Sequence, residues 1–171
     1  MGSIVGNKVI EIVDADLSLP AHADAIVYLL NDYALDPMGG GGGLSASTRE
    51  NLVAELRRRQ WMRGLLAFVD GEPAGLAICI EGFSTFACKP LLNIHDLAVA
   101  GKFRGQGIAK QLLARIEASA RAMGCCKITL EVLEGNTIAQ SAYKACGYVP
   151  YQLDPQMGRA MFWHNILDTP A

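Results

Sequence analysis

The stretch Arg104-Gly105-Gln106-Gly107-Ile108-Ala109 sets two glycines between an apolar run, Leu97-Ala98-Val99-Ala100, and a segment with helical spacing. A buried strand that turns sharply into a helix leaves the first N–H groups of that helix without partners. Glycines at the turn let a ligand approach those groups closely, and Arg104 adds a fixed charge whose fork matches a phosphate. The natural guest is a pyrophosphate. A P-loop needs Gly, four residues, Gly-Lys and then Ser or Thr, which is absent here. A dinucleotide fingerprint fails as well, because Gly105, Gly107 and Ala109 are spaced two apart.

The flanking segments can be read from their periodicity. Ile108, Leu112, Ile116, Ala120 and Met123 recur at helical spacing, and Gly124 closes that helix. Upstream, residues 8–16 (KVIEIVDAD) alternate as a first strand, and Pro20 suits the first turn of a helix carrying Ile26, Leu29 and Leu30. Five consecutive glycines, Gly39 to Gly43, predict a mobile loop or short tether. Ser47 and Glu50 form a capping-box pattern opening a helix with Leu52, Val53 and Leu56, which ends near Gln60. Asp70-Gly71, with Pro73 just beyond, predicts a hairpin between two apolar runs. Residues 91–99 (LLNIHDLAV) read as a buried central strand, and residues 127–133 (KITLEVL) as another strand. Asn136 and Gly147 cap a short helix, and residues 147–155 and 160–167 look like two closing strands. This order predicts an α/β (α+β) fold in a single domain over 1–171: a mixed, mostly antiparallel central sheet of about seven strands flanked by about four helices.

Bulk properties narrow the function. Hydrophobic residues make up 51% and charged residues 19% of the 171, as in a globular chain. A net charge of -2 removes the main driving term for nucleic-acid binding, and Arg57, Arg58 and Arg59 read as the solvated side of a helix. The five cysteines at 79, 88, 125, 126 and 146 show no repeated metal-ligand spacing. No metal is expected, and the cysteines read as small core residues in a reducing, cytoplasmic setting. No signal segment or membrane-length apolar run is seen, and Gly6 replaces the Ser or Thr of a myristoylation motif, so no membrane partner is expected.

With Arg104, Gly107 and Ala109 in the pattern Arg/Gln-x-x-Gly-x-Gly/Ala, the aliphatic end Leu97-Ala98-Val99 before it and residues 136–148 (NTIAQSAYKACGY) after it, the chain resembles the GNAT superfamily of acyl-CoA-dependent N-acetyltransferases. The likeness runs from the first strand to about Trp163. It implies acetyl-CoA as co-substrate. Leu97, Ala98 and Val99 would lie along the pantetheine arm, and Arg104, Gly105, Gln106, Gly107, Ile108 and Ala109 would cradle the pyrophosphate. Asn136 would face the cofactor and Tyr143 would stand near the thioester sulfur as general acid. The seven residues between these two equal two helical turns, so they share a face. A homodimer is a further implication of the resemblance.

An alkylamine acceptor must lose a proton before it attacks, since its reference pKa is about 10.4. His95 and Asp96 lie beside the expected thioester position and, in a strand, point to opposite faces. We favour His95 as base or anchor of a water relay, with Asp96 and Glu131 as alternatives, because relatives carry Glu at the equivalent place. Residues 83–99 are similar to spermidine/spermine acetyltransferases and their thialysine-acetylating relatives, with His95-Asp96 in place of an acidic pair. This implies a small aliphatic amine, held by carboxylates such as Asp36, Glu81, Asp96 or Glu131. Peptide or antibiotic amines, and a non-catalytic acetyl-CoA sensor, remain the alternatives.

Overall fold

The structure, a computed structural model, describes residues 3–5 and 8–167. The Asp70-Gly71 turn works as its sequence demands: both residues take positive φ, 50° and 82°, which matches the twist of the strands they join. Those strands are β3 (Met62–Val69) and β4 (Glu72–Ser84). Ahead of them run β1 (Ser3–Val5), β2 (Lys8–Asp14), α1 (Pro20–Leu35) and α2 (Ala46–Arg58). After them come β5 (Lys89–Val99), α3 (Ile108–Ala122), β6 (Ile128–Leu130) and α4 (Thr137–Ala145). The strands form one sheet in the order β1-β2-β3-β4-β5-β6, antiparallel except for the parallel β5–β6 pair.

Six strands are therefore found among the described residues where the sequence predicts about seven. β1 was not anticipated, β6 is three residues long, and neither closing segment pairs as a strand. Pro150 and Pro155 withhold N–H donors from the first closing segment, and a turn at Pro155–Met157 with Gly158 at φ 79° redirects the chain. A second difference concerns α2. Its cap is Ser45, whose hydroxyl accepts from the Thr48 N–H at 3.0 Å, so Ser47 lies inside the first turn.

The glycine loop is also better ordered than its composition predicts. Gly39 and Gly41 donate to the Asp36 carbonyl at 2.8 and 3.1 Å, Gly43 donates to the Ala34 carbonyl, and Leu44 donates to the Asn31 side chain. A Cβ on Gly39 would fall 2.0 Å from the Tyr33 carbonyl oxygen, so this fold-back admits only glycine there.

The core lies between the sheet and the helices α1 and α3. α1 buries Ala25, Ile26 and Leu29, and α3 buries the expected stripe Ile108, Leu112, Ile116 and Ala120 together with Leu113. Burying the four large aliphatic side chains of α3 contributes on the order of 10 kcal/mol before conformational entropy is subtracted. Gly75 of β4 sets how close α3 can come. A Cβ there would lie 3.0 Å from the Ala98 carbonyl oxygen and 3.2 Å from Ile108 Cγ2. Gly75→Val should therefore cost about 2 kcal/mol and lower the melting temperature by roughly 4–8 °C. An unchanged melting curve would show that α3 does not pack this tightly.

Candidate active site

The site begins with one irregularity in β5. Asp96 pairs with Ile78 and Ile94 pairs with Cys79, so His95 is an extra residue in the ladder. Such a bulge bends its strand and re-aims the neighbouring side chains. His95 stands exposed, while Asp96 is turned partly inward. Burial pushes the Asp96 carboxyl above the usual carboxylate range, against the opposing pull of His95. Burial first, and the nearby Asp96 charge second, push the Cys79 thiol up to about 12. That keeps Cys79 out of thiolate chemistry.

Beside the bulge the sheet opens. The parallel register of β5 and β6 ends at Ile94 and Leu130, yet β5 continues to Val99. From Asp96 to Val99 the strand thus has β4 on one edge and, among the described residues, no strand on the other. Leu97, Ala98 and Val99 run along this edge, where the Val99 carbonyl already accepts from Arg104 Nε at 3.0 Å.

Tyr143 comes to the same region from α4. Burial, then the neighbouring Tyr33, raises its hydroxyl above the ordinary tyrosine value, and its ring lies 6.0 Å from that of Tyr148. Tyr33, in the last turn of α1, is raised by burial, then by the charges of Asp96 and Asp36, and its hydroxyl donates to the Met38 carbonyl at 3.4 Å. Tyr33 of α1 thus stands in electrostatic reach of Asp96 on β5 and of Tyr143 on α4. Sequence reasoning missed Tyr33, because a tyrosine on an amphipathic helix carries no motif. Asn136 caps α4 through its side-chain oxygen, which accepts from the Ala139 N–H at 3.1 Å.

Above the opening lies the glycine turn. Gly105 and Gly107 take φ of 77° and 78°, with nothing within 4 Å of where a Cβ would sit. Gly107 is the N-cap of α3, and among the described residues no side chain caps that end. Ile108, the first residue of the helix, is buried at 1% exposure, and Ala109 beside it is half-buried. The Gln106 side chain folds back onto the Lys102 carbonyl at 3.3 Å. An uncovered helix start, two glycines without steric cover and an arginine at the edge suit an anionic pyrophosphate.

The candidate acceptor carboxylates are not gathered together. Glu81 lies three residues along β4 from Ile78, about 10 Å away, and faces Arg63 at 4.0 Å. Glu131 is exposed, 3.4 Å from the Asn93 amide nitrogen. Asp36 is bound to Arg104 at 2.8 Å and sits at the cofactor loop.

Comparison with known proteins bears on the family and the fold. The model of the Acetyltransferase (GNAT) family matches residues 28–148. The chain is 27% identical over 131 residues to the thialysine N-epsilon-acetyltransferase of Caenorhabditis elegans, covering 76% of this chain and 79% of that one. It is 39% identical over 64 residues to the [ribosomal protein bS18]-alanine N-acetyltransferase of Haemophilus ducreyi, covering 36% and 44%. Among solved structures, a probable acetyltransferase is 25% identical with a TM-score of 0.77, covering 93% of this chain and 99% of its own. AAC(6')-Iy, in complex with the bisubstrate analogue CoA-S-monomethyl-acetylneamine, shares the fold at 19% identity and a TM-score of 0.72, covering 92% and 99%. This chain belongs to the acetyltransferase (GNAT) family and is an N-acetyltransferase.

Proposed function

We propose that the chain transfers the acetyl group of acetyl-CoA to a small aliphatic primary amine by direct attack of the amine on the thioester. The carrying observation is the opening between β5 and β6, with Asp96 and Tyr143 both within reach of Tyr33 and the uncovered start of α3 above. The bound co-substrate supplies the activated acyl group. Residues 104–109 hold its pyrophosphate, and the free edge of Leu97–Val99 receives its pantetheine arm.

Asp96 accepts the proton that the amine must lose, and its raised carboxyl makes it a better base than an ordinary aspartate. Exposed His95 passes that proton on to solvent. Tyr143 gives a proton to the departing sulfur; its raised hydroxyl keeps that proton at neutral pH. Support for an aliphatic amine comes from the likeness to the thialysine-acetylating relative. The likeness to the ribosomal-protein alanine acetyltransferase supports a peptide N-terminus as the second reading.

The deciding experiment follows thiol release from acetyl-CoA with diamines, polyamines, lysine analogues, aminoglycosides and peptide N-termini. Turnover is expected with compact aliphatic amines, and turnover confined to peptides or aminoglycosides would overturn the acceptor assignment. Tyr143→Phe should lower kcat by about 100-fold with CoA affinity unchanged by calorimetry. Wild-type turnover in that variant removes Tyr143 from the proton path. For Asp96 the base form grows as pH rises through its raised pKa, so log kcat/KM should climb more steeply below that pKa than above it. Asp96→Asn should abolish this break, and a break that survives belongs to another group.

A further inference from the structure

The guanidinium of Arg104, which the cofactor reading assigns to the pyrophosphate, is already engaged. Its Nη2 donates to Asp36 Oδ2 at 2.8 Å and its Nε to the Val99 carbonyl at 3.0 Å. Asp36 is in turn the anchor of the glycine loop. Its other carboxylate oxygen accepts from the Met38 N–H at 2.8 Å, and its carbonyl accepts from Gly39 and Gly41. Tyr33, the neighbour of Asp96, donates to the Met38 carbonyl in the same loop. One ion pair spanning 68 residues therefore ties the loop after α1 to the loop before α3.

With Nε on the Val99 carbonyl and Nη2 on Asp36, the Nε–Nη2 edge with which the guanidinium could meet a phosphate is already filled. The Asp36 carboxylate also places a negative charge at the helix start that is to receive two more. Asp36 and the pyrophosphate cannot both sit there without repulsion. We propose that Asp36 is a positioning residue that acts through Arg104: it holds the guanidinium when no cofactor is bound, competes with the pyrophosphate, and frees the glycine loop when displaced.

This inference rests on the cofactor-cradle reading above and deepens it. The glycines suit the device: Gly40 and Gly41, at the tip of the loop, carry positive φ with open space around them, so the tip has little packing to lose once the Asp36 carboxylate moves. An exposed ion pair of this kind is worth little in isolation, so the competition should change affinity severalfold rather than by orders of magnitude.

The test is calorimetric titration of CoA into the wild type, Asp36→Asn, Arg104→Gln and the double variant. Asp36→Asn is isosteric and keeps an acceptor for the Met38 N–H, so a matching melting curve shows that the fold is retained. It should bind CoA about fivefold more tightly, an advantage that shrinks in 0.5 M salt. Arg104→Gln should bind more weakly, and Asp36→Asn should add nothing in that background. CoA should also speed subtilisin cleavage at Gly39–Gly43 in the wild type, whereas Asp36→Asn should be cleaved quickly without it. A residue that merely supports the fold or orients Arg104 would weaken binding when replaced. Asp36→Asn affinity equal to or below wild type therefore overturns the competition. Absence of CoA binding by the wild type would instead sink the transferase reading beneath it.

Discussion

The extra residue at His95 is the constraint on which the site depends. Antiparallel pairing of β4 and β5 is regular on both sides of it, yet across it the two strands fall out of step. A ladder that loses step must bend, and β5 has β6 beside it only up to Ile94. The bulge turns Asp96 inward and presents His95 to solvent, while the end of β6 opens the sheet just where those side chains lie. Regular pairing with β4 through Val99 would have returned both side chains to strict alternation.

Packing fixes the other wall. Gly75 lets Ile108 and Leu112 sit against β4, which sets the start of α3, and with it the glycine turn, at a fixed distance above the opening. Apolar burial on α3 thus does chemical work indirectly: it holds a helix start in position where, among the described residues, no side chain caps it. The three arginines on α2 play no part in this. Arg57 bonds to the Leu17 carbonyl, and Arg58 and Arg59 both pair with Glu55, as expected of a solvated helix face.

What the sequence made legible was whatever depends on neighbours along the chain. The Asp70-Gly71 hairpin, the α3 stripe, Asn136 as a cap and the glycine turn all rest on local spacing, and all four appear in the structure. What depends on pairing between distant segments was not legible. The bulge arises from the register of β5 against β4, so alternation alone could not say which of His95 and Asp96 turns inward. Tyr33 joins Asp96 only because α1 packs on the sheet, and Asp36 meets Arg104 across 68 residues. The closing segments looked like strands from their apolar content, but Pro150, Pro155 and the turn before Gly158 outweighed it.

The short β5–β6 pair also bears on how the protein moves. It joins three residues to three, in parallel, across a connection that contains the whole of α3. Parallel pairing over a long crossover forms late in folding, because the intervening chain must be ordered first, and so short a pair opens at little cost. Opening there would leave the β4–β5 ladder, with its ten paired positions, untouched. The proposed thioester position borders this short pair, so the co-substrate would enter beside a part of the sheet that few hydrogen bonds hold.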